Sequence, residues 1–297
     1  MNIQWYPGHM TKAKRMMQDS IKLIDCVVEL LDARIPISSQ NPDLPKIANG
    51  KPRLILLTKM DLADPNKTNQ WIEYFKKQGI VAMPVNARDG QNMNKVVPQI
   101  HEVCKERIER NKKRGLINKP LRIMVAGIPN VGKSTFINKL VGKSSTKTGN
   151  KPGVTKGKQW IKIKKGLELL DTPGILWPKF EDQTVGAHLA FVGSIKDDIL
   201  DTTTLAYELI SHLMDLYPKA LKEAFPNVEF IEGDELKPAY KLLEAFAIER
   251  HYLQEKNTPD TNRMGKNILD DFRAGRFGRM SIDRIPTDKI SDTKGNI

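Results

Sequence analysis

Short apolar runs alternate with amphipathic stretches through the first two thirds of the chain. Cys26-Val-Val-Glu-Leu-Leu31, Arg53-Leu-Ile-Leu-Leu57, Val81-Ala-Met-Pro-Val-Asn86-Ala87, Leu121-Arg-Ile-Met-Val-Ala126 and Leu167-Glu-Leu-Leu170 read as strands. Thr68 to Gln78, Asn92 to Lys113 and Ser134 to Leu140 read as helices. Near-continuous apolar runs suit strands covered on both faces. The alternation therefore predicts an α/β domain with a mostly parallel sheet and helices on both faces. Near residue 200 the pattern changes. Leu205, Leu209, Leu213 and Leu216 recur at helical spacing within Thr202 to Leu216. Lys219 to Ala224, Lys237 to Glu255 and Asn262 to Ala274 continue as helices, so a small all-α unit should follow the sheet. The expected organisation is an N-terminal arm over 1–20, the α/β domain over 21–185, a helical domain over 200–285 and a disordered tail over 286–297. Val185 to Ile199 would be the tether.

The chemistry lies at the ends of the predicted strands. Gly127-Ile-Pro-Asn130-Val131-Gly132-Lys133-Ser134-Thr135 follows one strand and opens a helix. This G-x4-G-K-S pattern is a phosphate-binding loop. Its glycines let backbone N–H groups approach phosphates, and the helix N-terminus adds partial positive charge. Lys133 should reach the β- and γ-phosphates, and the Ser134 hydroxyl should ligate Mg²⁺. Thr155, in Pro152-Gly-Val-Thr155, has the position of a switch I threonine that completes the Mg²⁺ shell when a γ-phosphate is present. Asp171-Thr-Pro-Gly174 follows the last apolar strand. It reads as switch II, with Asp171 holding Mg²⁺ through water and Gly174 offering its N–H to the γ-phosphate.

A guanine-reading segment is also present, but it precedes the phosphate loop. Thr58-Lys59-Met60-Asp61 ends the Arg53–Leu57 strand. An aspartate here accepts bonds from guanine N1–H and the 2-amino group, which adenine does not offer in that geometry. Lys59 would lie along the base. The usual first residue is Asn. Thr58 weakens the expected link to the phosphate loop, although a hydroxyl can replace part of it. Asn86-Ala87 would supply the backbone N–H for guanine O6. Small GTPases place the phosphate loop first and the base-reading motif last, so this order is that of a circularly permuted GTPase. Asn111 to Pro120 would be the connection joining the natural termini.

The combination resembles the permuted YlqF-type, ribosome biogenesis GTPase A family. The resemblance rests on Trp5-Tyr-Pro7-Gly8-His9-Met10, Asp32-Ala-Arg34-Ile-Pro36, the guanine motifs, Gly127 to Ser134, and Asp171-Thr-Pro-Gly-Ile-Leu-Trp-Pro178. It implies GTP hydrolysis coupled to late assembly of the large ribosomal subunit, slow alone and stimulated by the particle. Many GTPases place Gln after the switch II glycine to orient water. Here Ile175 stands there, and the resemblance points to His9 instead, either as the water-orienting group or as an anchor for the N-terminal segment. Asn130 occupies the place of a K⁺ ligand in potassium-activated GTPases, so the expected cofactors are GTP, Mg²⁺ and K⁺. Two other readings stay open: an RNA-binding scaffold with GTP as a structural ligand, and a GTPase acting in RNA modification.

Composition sharpens the partner. The 297 residues carry 48 Lys and Arg against 35 Asp and Glu, a net charge of +13. Residues 111–165 hold fifteen of those cations and no acid. Such a block fits a polyanion better than a solvated charge run, and the resemblance implies that the polyanion is large-subunit rRNA. Arg273-Ala-Gly-Arg276-Phe277-Gly-Arg279 reads either as a second RNA contact or as a helix cap with solvated arginines. Cys26 and Cys104 show no paired spacing and read as reduced core residues. With no signal segment or long apolar run, a cytoplasmic monomer away from membranes is expected.

Overall fold

A computed structural model describes residues 8–116, 119–142, 159–163, 166–172, 174–177, 180, 182–230 and 238–286. Six strands form its sheet: β1 (Cys26–Asp32), β2 (Arg53–Thr58), β3 (Val81–Pro84), β4 (Leu121–Gly127), β5 (Gln159–Ile163) and β6 (Leu167–Asp171). Their order is β3-β2-β1-β4-β6-β5. All neighbouring pairs are parallel except β5 with β6. The phosphate-loop strand β4 is therefore central, with earlier strands on one side and later ones on the other, as the permuted order requires.

Strand β2 shows why both faces must be apolar. Leu54 and Leu56 join the core containing Met93, Val96 and Ile100, whereas Ile55 and Leu57 join the core containing Trp71 and Phe75. Successive side chains of a strand point to opposite faces. Helix α3 (Pro65–Lys77) supplies Trp71 and Phe75 on one face, and α4 (Met93–Val103) covers the other. The remaining helices, in chain order, are α1 (Gly8–Ser20), α2 (Leu44–Ala48), α5 (Lys105–Lys113), α6 (Lys133–Val141), α7 (Gln183–Phe191), α8 (Thr202–Leu216), α9 (Pro218–Ala224), α10 (Pro238–Glu249) and α11 (Thr261–Ala274).

Several expectations change. The helix predicted over 92–113 breaks at Cys104 into α4 and α5. The one predicted over 237–255 ends at Glu249, where His251 turns left-handed at φ 56°. The expected tether contains α7, whose residues Gly186 to Phe191 are all buried. A helix apolar all round has no periodic face to read. The N-terminal segment, from Gly8 onward, is a docked helix: Met10, Ala13 and Met17 are buried. Arg273, Arg276 and Arg279 have hydrogen-bond partners within the molecule, although Arg276 and Arg279 are themselves exposed. Arg273 donates to the Asp197 carboxylate and to the carbonyls of Ala190 and Phe191. Arg276 pairs with Asp271, and Arg279 binds the carbonyls of Met60 and Ala63. The tail beyond Pro286 lies outside the described residues. Among those described, no helix is long and apolar enough to cross a membrane. Cys26 and Cys104 are buried free thiols.

Candidate active site

The base-reading and phosphate-loop motifs converge at the carboxyl ends of the parallel strands, where open α/β sheets bind ligands. A cleft of about 1030 Å³ is lined by Thr58, Lys59 and Asp61 from the β2 end, Asn86 and Ala87 beyond β3, and Asn130, Val131, Gly132 and Thr135 after β4. Its outer wall comes from the helical region, including Gly193, Lys196, Asp197, Asp270 and Arg273.

The phosphate loop is built by backbone conformation. Asn130 adopts φ 59° and Gly132 φ 95°, and α6 starts at Lys133. Lys133 is 7 % exposed, so its ammonium belongs to the loop and not to bulk solvent. The Asn130 amide donates to Gly193 O at 2.7 Å, joining the loop to the turn after α7. Switch II packs against it: a Cβ added at Gly174 would lie 3.0 Å from the Pro129 backbone. Ile175 N donates to Gly127 O at 3.2 Å, and the Thr172 hydroxyl to Val125 O at 2.7 Å. Glycine at 174 is thus demanded by the close approach of two loops. This shaped cradle, with a buried lysine at a helix N-terminus, fits a nucleoside triphosphate.

Thr58 carries more of the expected asparagine link than its chemistry suggested. Its hydroxyl lies 2.7 Å from Val131 O and 3.0 Å from Leu31 O, so one shared donor joins base loop, phosphate loop and β1. Lys59 (φ 54°) donates to Asp32 Oδ2 at 2.9 Å. Arg34 grips the same carboxylate with Nε at 2.9 Å and Nη2 at 2.8 Å. Burial alone would raise the Asp32 pKa, but Arg34 and Lys59 outweigh it and hold the carboxyl well below the usual range. Asn86 uses its side chain locally: Oδ1 accepts from the N–H groups of Arg88 and Asp89, and Nδ2 donates to Asp89. That asparagine turn presents the following Ala87 backbone to the cleft.

In the sequence, Asp32 and Arg34 stand out only through the family resemblance. Their signal was two opposite charges immediately after a buried strand, which require a partner. Arg34 is 1 % exposed and also reaches Arg273 O and the Phe272 ring. His9 lies in the first turn of α1, its side chain outside those described. The neighbouring Met10 sulfur accepts from Leu176 N at 3.4 Å, which sets the start of α1 beside switch II. Thr155 falls outside the described residues, as does the side chain of Asp171. Most of the acid-free stretch between Lys143 and Lys165 does too.

Comparison with known proteins agrees with this geometry. A family described as 50S ribosome-binding GTPase matches residues 122–241, and one described as RsgA GTPase matches 46–181. The ribosome biogenesis GTPase A of Bacillus cereus is 44% identical over 95% of this chain and 94% of its own length. That of Priestia megaterium is 45% identical over 95% and 97%. Mitochondrial ribosome-associated GTPase 1 of Mus musculus is 31% identical over 95% and 90%. GDP-bound TM YlqF superposes with a TM-score of 0.67 at 26% identity, covering 90% of this chain and 98% of that one. GNP-bound YlqF from T. maritima gives 0.65 at 27%, covering 92% and 98%. With its permuted strand order, phosphate loop and base loop on one cleft, the chain is a GTPase and belongs to the ribosome biogenesis GTPase A family.

Proposed function

We propose that the protein is a GTP-driven assembly factor that binds the large ribosomal subunit precursor, promotes its late maturation and leaves after hydrolysis. The observation carrying this reading is the single cleft shared by phosphate loop, base loop and helical wall. Nucleotide state can be felt there by both parts of the chain. The printed names of the relatives, ribosome biogenesis and ribosome-associated GTPases, support a ribosomal partner. The acid-free cationic block supports an RNA surface on it.

In this reading Asp61 accepts the guanine N1–H and 2-amino hydrogens, Lys59 covers the base, and the Ala87 N–H meets O6. Lys133 and the loop N–H groups hold the phosphates, and Gly174 N–H meets the γ-phosphate. Ser134, Thr155 and Asp171 would hold Mg²⁺, which would supply positive charge against the phosphates. Asn130 is the K⁺ ligand, with its amide nitrogen already directed at Gly193 O. The hydrophobic pair Ile175 and Leu176, both buried, cannot orient water. His9, one residue from the Met10 contact to switch II, takes that role.

The test is GTP turnover with and without purified large subunits, in KCl and in NaCl, for the wild-type protein and His9→Ala. Stimulation by subunits in KCl, abolished by His9→Ala with binding retained, is expected. Stimulation retained in His9→Ala would move the water-orienting group elsewhere. Equal rates in the two salts would remove K⁺, and no effect of subunits would sink the assembly role.

A further inference from the structure

A strap formed by Arg279 to Asp283, after α11, runs back across the molecule and grips the base loop. Arg279 Nη2 donates to Met60 O at 2.8 Å and Nε to Ala63 O at 2.9 Å. Met280 N donates to Leu62 O at 2.9 Å. The Ser281 hydroxyl lies 3.2 Å from Asp64 N, which donates to it, and itself donates to Ala33 O at 3.1 Å. Ile282 N donates to Arg34 O at 2.8 Å. Asp283 Oδ2 accepts from the N–H groups of Ile37 and Ser38, each at 2.8 Å. The strap is itself held. The Tyr217 hydroxyl donates to Ser281 O and accepts from Ser281 N, both at 3.0 Å. Met280, Ser281, Ile282 and Asp283 are all buried.

These bonds land on backbone groups that bracket Asp61 on both sides. Met60 O precedes it; Leu62 O, Ala63 O and Asp64 N follow. Leu62 also closes the turn by donating its N–H to Lys59 O at 2.9 Å. A carboxylate that must meet two base hydrogens at once gains from a loop fixed before the nucleotide arrives. Side chains of Arg34 and Lys59 fix the loop from beneath through Asp32, and the strap fixes it from outside.

We propose that the strap, led by Arg279 and Ser281, positions the base loop and so sets the affinity and the guanine selectivity of the GTP site, making both depend on the docked helical region. The proposal rests on Thr58–Asp61 being the guanine-reading loop. Neither residue is among those lining the cleft, so both are positioning residues.

The experiment compares the full-length protein with Arg279→Ala, Ser281→Ala and Arg279→Lys, measuring GDP affinity, KM and kcat for GTP, and the ratio of GTP to ITP affinity. ITP lacks the 2-amino group and so reports on Asp61. Loss of the Arg279 bonds should weaken GDP binding and raise KM about five- to tenfold, leave kcat at saturating GTP unchanged, and narrow the GTP/ITP ratio. Arg279→Lys, keeping one donor, should fall between. A strap that only holds the helices down would lower the melting temperature without nucleotide and leave KM and the GTP/ITP ratio within about twofold, which would overturn the proposal. Asp61→Asn serves as control. If it erases guanine preference while Arg279→Ala preserves it, the strap proposal alone fails. If Asp61→Asn leaves guanine preference intact, the assignment of the loop fails first.

Discussion

The two ends of the chain hold the nucleotide domain in opposite ways. At the N-terminal end, α1 buries Met10, Ala13 and Met17, its one described ion pair to the domain is the part-exposed Lys14–Asp43 contact, and it meets the Leu176 N–H through the Met10 thioether at 3.4 Å. At the C-terminal end, the strap reaches the base loop and the adjoining Ala33–Ser38 segment through backbone and side-chain hydrogen bonds between 2.6 and 3.2 Å. An apolar contact is non-directional and tolerates sliding, whereas a set of directional bonds fixes one register. The difference matches the work at each site. Under the proposed reading, the Ile175–Leu176 segment rearranges with the γ-phosphate, as GTPase switches do, and the base loop stays the same in every nucleotide state.

Breaking the polar end should cost most. Asp32 is fully buried and neutralises Arg34, itself 1 % exposed. Asp32→Asn leaves that guanidinium without its charge partner, and a loss of about 3–5 kcal/mol in urea unfolding is expected. The pH dependence has a definite sign. Asp32 has a folded-state pKa below its unfolded one, so its contribution is present above the unfolded value. It is lost only as pH falls through the lowered folded value. Acidification from neutral to about pH 5 should therefore leave this network intact, because an unfolded Asp titrates near 3.9. A loss of the network in that window, seen as lost GDP affinity of the wild type with Asp32→Asn unaffected, would contradict it.

Met10→Ala tests the apolar end. Removing this fully buried side chain should destabilise the docked α1 by about 2–5 kcal/mol. Hydrogen exchange should accelerate in α1 and in the Ile175–Leu176 segment, while GDP affinity stays close to wild type. Reduced affinity with unchanged exchange would show that the two ends are not separable.

Thr58→Val is the finest cut. It keeps the shape and removes the hydroxyl bonded to Val131 O or Leu31 O. A loss of about 1 kcal/mol in stability is expected, with a matching fall in GDP affinity. No change in affinity would mean that base loop and phosphate loop are aligned without this bond.

The sequence made much of this legible. The β2 run, with apolar residues at every position from Leu54 to Leu57, could only be a strand covered on both faces. Gly127 to Ser134 announced its own loop, because phosphate cradling needs glycine and a helix start in a fixed order. Strand β5 was harder to read. Its Ile161 and Ile163 are buried, but Trp160 is 40 % exposed and Lys162 is also exposed on an edge of the sheet, inside a cationic stretch. Helix α7 was illegible for the opposite reason, being buried on all sides.

By itself, then, the sequence determined what local chemistry controls: five of the six described strands, the phosphate loop and the permuted order of the motifs. Tertiary structure alone decided which distant groups meet. It gave Arg273, Arg276 and Arg279 intramolecular partners on segments distant in sequence or within the same turn. It joined Asp32, Arg34 and Lys59 into one buried network, and brought Asp283 to the Ile37 and Ser38 amides across most of the chain. The physical reason is range. Propensity, glycine geometry and periodicity act within a few residues. The partner of a buried charge is chosen by the fold that desolvates it.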